Sequence, residues 1–228
     1  MKQIALDIGL APGPTLASFF AGSNEAALKH LAHWVDDKTS FTTGAFVPTY
    51  LWGDSASGKT HLLKAVQAAL RERGATVGWL DPSIQDPPEF DERWAAVLMD
   101  DVHFYSADQQ HMAFNWFVNA QSHQCLVLGA GSLPPSDLKL RDDLRTRLGW
   151  GQVFQLHVPS EPQRRAVLRL AADARGLFLG DEVMDFMLNR FSRDLGSLME
   201  LLNLLDDYAL QTKRGITIPL IKSMLENT

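Results

Sequence analysis

The octapeptide GDSASGKT, Gly53 to Thr60, satisfies the pattern G-x-x-x-x-G-K-[ST] in full, and its chemistry is that of a phosphate cradle. The glycines let backbone N–H groups close around an anion, and a helix starting at the end of the loop adds its partial positive charge. Lys59 carries the charge that reaches terminal phosphates, and the Thr60 hydroxyl is a hard oxygen ligand for Mg²⁺. Downstream, VLMDD (Val97 to Asp101) is an apolar run closed by two carboxylates. Asp100 would hold the metal through water, and Asp101 stands where a base orients an attacking water. The expected nucleotide-binding stretch is therefore Gly53, Asp54, Ser55, Ala56, Ser57, Gly58, Lys59 and Thr60, with His61 next to it.

Such residues work only if a strand delivers the loop and a helix follows it. PTYLWG is apolar and ends in Gly53, and THLLKAVQAALRERG has the spacing of an amphipathic helix stopped at Gly74. TVGWL, AAVLMDD, CLVLGAG and QVFQLHV read as further strands, and Ala107 to Gln121 as a helix with an aromatic face. Asn24 to Val35 has helical spacing with Asn24 as N-cap. Strands alternating with helices predict an α/β domain whose five-stranded, mainly parallel sheet is sandwiched by helices. After Val158 the pattern turns all-helical: Ser160 and Gln163 stand at capping-box spacing, Gly176 ends that helix, and Pro219 suits a first turn. GLAPGP, Gly9 to Pro14, favours neither helix nor strand. The expected division is a tail and linker over 1–14, an α/β domain over 15–159 and a small helical domain over 160–228.

Composition narrows the classes. Net charge is −6, which argues against a protein whose main task is gripping nucleic acid by its phosphates, although a local basic patch is compatible with it. The single cysteine, Cys125, excludes a disulfide framework and a cysteine zinc cage, and makes the reducing cytoplasm the expected compartment. No apolar run approaches the roughly 20 residues of a membrane helix. His30 and His33 share a helix without a third ligand, so no metal cluster is expected there. Trp34, Trp79, Trp94 and Trp116 fall in apolar-periodic segments and read as core, Met184, Met187 and Met199 as helical packing, and Cys125 as inert.

Joined to LRTRLGWG (Leu144 to Gly151), these motifs resemble the AAA+ domain of the bacterial replication initiator DnaA. The likeness runs over about 15–225 through LASFFAGSNEAAL, YLWGDSASGKTHLL, VLMDDVHFY, SRDLGSLMELL and ITIPLIKSML. A module of this kind with a short tail bearing QIALDI, and without DnaA's DNA-binding helical domain, is similar to the Hda-type regulators of DnaA. The resemblance implies an arginine finger at Arg147, interface support from Arg145, a lid arginine at Arg193 pointing at the nucleotide, and base packing by Phe19, Phe20 and Gly22. It implies a sliding-clamp-binding peptide at Gln3, Leu6 and Ile8. The implied function is negative regulation of replication initiation: with the DNA-loaded clamp (the β subunit of DNA polymerase III), such a protein stimulates hydrolysis of DnaA-bound ATP in trans. DNA would be met indirectly through the clamp, a membrane not at all, and a homo-oligomer is open. Two residues depart from the wider pattern. Gly131 stands where DnaA-type sequences place a polar sensor, and Asp101 is an aspartate where most AAA+ ATPases have glutamate, as in DnaA itself. These departures predict weak turnover by the chain itself, and the resemblance to Hda-type proteins implies ADP rather than ATP as the resident nucleotide. A stand-alone AAA+ ATPase of the helicase-loader type is the alternative; it predicts measurable ATPase activity alone or affinity for single-stranded DNA.

Overall fold

The computed structural model describes residues 13–36, 46–191, 194–212 and 214–226. They divide into two compact units: one reaches from the N-terminal side to His157, and the other holds Val158 onward together with Ala56–Gly58.

The first unit is built on five strands, β1 Thr49–Trp52, β2 Thr76–Leu80, β3 Trp94–Met99, β4 Leu126–Gly131 and β5 Gln152–Gln155. They form one sheet in the order β2-β3-β4-β1-β5, and every pairing is parallel. Because side chains alternate across a strand, each inner strand feeds two cores. Tyr50, Val97, Met99 and Val127 face one side, where they pack with Trp116, Phe117, Leu144 and Leu148. Leu51, Ala96, Leu98 and Leu128 face the other, with Leu31, Leu62, Leu63 and Val66. The first set of helical residues comes from α3 Ala107–Ser122 and α4 Asp142–Leu148, the second from α1 Glu25–Asp36 and α2 Lys59–Glu72. The helix-sandwiched sheet expected from the alternating pattern is the observed one.

Local differences have local causes. β3 stops at Met99, so both carboxylates lie past the strand rather than at its last residues. β5 ends at Gln155, three residues before the expected Val158; it is an edge strand with largely exposed side chains. Asn24 lies in a preceding 3-10 turn, and its side chain is engaged with His157: Nδ2 donates to the carbonyl at 2.9 Å and Oδ1 accepts the N–H at 2.8 Å. α4 is a helix that strand and helix periodicity did not reveal. Its seven residues are too few to display a period, and its buried Leu144 and Leu148, one turn apart, fix which face is inward.

The second unit contains α5 Glu161–Ala174, α6 Asp181–Arg190, α7 Leu195–Thr212 and α8 Ile218–Glu226. Gln163 accepts the Ser160 N–H at 2.8 Å, as the capping spacing predicted. Gly176, with φ at +69°, follows the end of α5. Leu168, Met184, Met187, Leu198, Leu202 and Ile221 form a core of this unit's own.

Candidate nucleotide-binding site

In open parallel sheets, ligands bind beyond the carboxyl ends of strands where the strand order changes direction. β1 lies between β4 and β5, and the GDSASGKT loop leaves its carboxyl end. The loop is tied to the sheet by the Gly53 N–H, which donates to Gly131 O at 3.3 Å. Ala56 and Gly58 take left-handed backbone angles, φ +65° and +94°. Turns of this kind gather successive N–H groups into a concave anion site, and the strain of a non-glycine residue there costs about 1–3 kcal/mol. α2 starts at Lys59, so the positive end of its dipole opens at the same place.

Lys59 is 7% exposed, and its Nζ donates to Gly53 O at 2.8 Å and Asp54 O at 2.9 Å. Burial pulls its pKa down, while Asp101, Asp100 and Asp54 act to hold it up. Asp100 is buried as well, and burial raises its pKa against the hydrogen bond donated by the Thr60 hydroxyl. Thr60 and Asp100 are thus already together, two hard oxygen donors of the kind Mg²⁺ takes alongside nucleotide phosphates. No group of three or more His, Cys, Asp or Glu able to hold a metal occurs among the described residues. Asp101 sits at φ +47°, ψ +43°, with its N–H donating to Asp100 Oδ1 at 3.0 Å.

The segment before α1 closes over the start of α2. His61 Nε2 lies 3.1 Å from Thr15 O and 3.4 Å from Ser18 Oγ, and its ring is 5.6 Å from that of Phe19. Phe20 is half-buried beside it in sequence. Gly131 explains itself through its neighbour: a Cβ there would collide with Tyr50 Oη and meet Val102 Cγ2 at 3.2 Å. The Tyr50 hydroxyl occupies that space and donates to Leu133 O at 3.0 Å.

Arg147, on α4, lies apart from these residues in the chain and is held on its own surface. Its Nη1 donates to Gln121 Oε1 at 3.1 Å, and the guanidinium lies 5.1 Å from the Phe114 ring and 5.7 Å from Phe117. Arg145 pairs with Asp142 at 2.8 Å. Arg147, Phe114, Gln121, Thr146 and Trp150 line a groove of about 690 Å³, and Trp150 is 60% exposed. Gln3, Leu6, Ile8 and Arg193 lie outside the described residues. His103, two positions after Asp101, accepts the Ser132 N–H on Nδ1 at 3.3 Å, a contact that no spacing in the sequence marks.

Residues 161–225 match the protein family described as "Hda, lid domain". A Haemophilus influenzae protein, described as uncharacterized, is 35% identical over 234 residues, covering 98% of each chain. Domain III of the Thermotoga maritima replication initiation protein DnaA superposes with a TM-score of 0.70 at 20% identity, over 96% of this chain and 98% of that one. The chain belongs to the DnaA-related AAA+ family, Hda type. The fold of this Hda-type protein is also that of the Aquifex aeolicus DnaA solved with AMPPCP bound, with a TM-score of 0.67 at 20% identity over 86% of this chain and 66% of that one. It extends to the Thermotoga maritima branch-migration motor RuvB, with a TM-score of 0.62 at 15% identity over 93% and 71%.

Proposed function

We propose that this Hda-type protein turns off the DnaA initiator by completing the initiator's ATPase site from outside. With the DNA-loaded sliding clamp present, its AAA+ unit docks on ATP-bound DnaA, and Arg147 enters the neighbouring site. A guanidinium offers a fixed fork of donors for charge developing on phosphoryl oxygens, and a finger supplied in trans is worth about a thousandfold or more. The observation that carries this reading is the setting of Arg147. It is half-exposed, braced by Phe114 and Gln121 in the lining of a groove, and followed by the exposed Trp150, a residue type found at interface centres.

In this reading the chain's own nucleotide is structural. Gly53–Thr60 and Lys59 hold the phosphates, Thr60 and Asp100 hold Mg²⁺, and Phe20, His61 and Arg193 complete the nucleotide contacts. ADP is the resident species, and Asp101 supports only slow turnover. No helix among the described residues is long and apolar enough to cross a membrane, and the reading puts the protein's work in the cytoplasm beside DnaA. The test compares hydrolysis of DnaA-bound ATP by wild type and Arg147→Ala in the presence of clamp-loaded DNA. The variant should keep its own nucleotide and lose most of the stimulation; equal rates remove the finger. Rapid ATPase activity of the chain alone would favour the helicase-loader reading instead.

A further inference from the structure

α4 carries Arg147, yet it is only seven residues long, and its N-cap, Arg141, makes no capping bond with its own side chain. A helix this short does not hold itself in water, so its place is set by what grips it. Leu144 and Leu148 anchor it to the core. The rest of the grip comes from one face of α3. Gln110, Phe114, Phe117 and Gln121 follow one another at intervals of four, three and four residues, the spacing of a single helix face. Gln110 Oε1 accepts the Arg141 N–H at 3.0 Å, where α4 begins. The Phe114 ring lies 5.6 Å from the Arg141 guanidinium and 5.1 Å from that of Arg147. Phe117, at 5.7 Å, and Gln121, at 3.1 Å, complete the contacts of Arg147.

Gln110 bonds in two directions. In a capping box, a side chain one turn into a helix accepts the N–H of that helix's own N-cap; here the acceptor is supplied from a different helix. The same amide, through Nε2, donates to Tyr105 O at 2.9 Å. Tyr105 is buried, and its hydroxyl donates to Leu80 O at 2.7 Å, which fixes that end of the link on the sheet. The Arg141 side chain adds bonds of its own: Nη1 donates to His111 Nδ1 at 3.0 Å and Nη2 to Asp143 Oδ2 at 2.7 Å. Those groups are exposed, and an ion pair in water holds little. The half-buried Gln110 amide, bonded at both of its polar atoms, is the firmer hold on the start of α4.

We propose that Gln110 is a positioning residue for Arg147. By bridging the Arg141 N–H to Tyr105 O, its amide fixes where α4 begins, and so the place from which the Arg147 guanidinium reaches a partner's phosphates. The proposal rests on the reading of Arg147 as a finger acting in trans, and it adds the residue that sets the finger's pose. Gln110 acts through α4 and meets no reacting atom itself. Misplacing a catalytic group by about 1 Å costs up to about a hundredfold, so loosening one end of so short a helix is felt at Arg147.

Gln110→Met keeps the reach of the side chain and removes both bonds. Hydrolysis of DnaA-bound ATP, with clamp-loaded DNA, is followed against the concentration of wild type, Gln110→Met and Arg147→Ala. The methionine variant should lose about tenfold or more in maximal rate, while its half-maximal concentration and its ADP affinity stay within about twofold. A maximal rate within about twofold of wild type, or a loss confined to the half-maximal concentration, overturns the proposal. Hydrogen exchange on the chain alone, without DnaA or clamp, gives a second reading. The amides of Arg145 and Gly149, bonded to Arg141 O and Arg145 O, should exchange about fivefold faster in the methionine variant, with the amides of β3 and β4 unchanged. Unchanged exchange in α4, or equal acceleration in the strands, overturns it. Full stimulation by Arg147→Ala removes the finger and this proposal with it. Loss of stimulation with Arg147→Ala but not with Gln110→Met removes only the role of Gln110.

Discussion

Gly131 and Tyr50 account for each other. Tyr50 is fully buried on β1, and its ring reaches across to the end of β4, where its hydroxyl takes the volume a side chain at 131 would need. Burial, with the Asp101 carboxylate, pushes the Tyr50 pKa well up, so the hydroxyl stays a neutral donor. Gly131→Ala should therefore cost about 1–3 kcal/mol through overpacking. Tyr50→Phe alone should cost about 1 kcal/mol for the lost hydrogen bond. Combined, the two changes should cost less than their sum, because removing Oη relieves the collision. Urea unfolding of the four proteins measures this coupling, and strict additivity would contradict the contact. The same geometry shows why a glycine at this position is a packing consequence as well as a loss of polar function.

At the scale of elements, α3 organises the loop that follows β2. Ser106 and Gln109 form a reciprocal capping box, with Ser106 N–H to Gln109 Oε1 at 2.9 Å and Gln109 N–H to Ser106 Oγ at 3.2 Å. Gln109 Nε2 also donates to Asp81 O at 3.2 Å and Ile84 O at 2.8 Å, and Trp116 Nε1 donates to Pro88 O at 3.0 Å. One buried side chain thus caps a helix and pins a loop. Gln109→Ala should destabilise the protein by about 2 kcal/mol, since it removes the cap and leaves the half-buried Asp81 and Ile84 carbonyls without this donor. Thermal and urea melts would check it, and a change below about 0.5 kcal/mol would mean that the loop is held by other contacts. The helix was legible in the sequence over Ala107 to Gln121 because its side-chain period is local. Its bonds to Asp81 and Ile84 were not, because they join residues well separated in the chain.

For the whole molecule, the proposed regulation couples a tail to a nucleotide-binding body. Reading Gln3, Leu6 and Ile8 as an extended clamp-binding peptide makes Gly9 to Pro14 a tether that raises the body's effective concentration at clamp-bound sites. Deleting residues 1–8 should abolish clamp binding and clamp-dependent stimulation of DnaA while leaving nucleotide affinity unchanged. Pull-down on the β clamp and nucleotide titration measure the two separately; clamp binding that survives the deletion would refute the peptide assignment. The net charge of −6 accords with DNA being approached through the clamp.

The sequence alone determined what is contiguous. GDSASGKT and VLMDD carry their chemistry within a few residues, and the change from alternating to purely helical pattern announced the helical unit. Local backbone preference and side-chain period are enough for such features. The tertiary structure decided what is brought together across the sheet. It inserted β1 between β4 and β5, joined Thr60 to Asp100, filled the space over Gly131 with Tyr50, and tied His103 to Ser132, 29 residues away. A parallel sheet pairs strands that are distant in the chain, and no local pattern encodes which neighbour each strand will have.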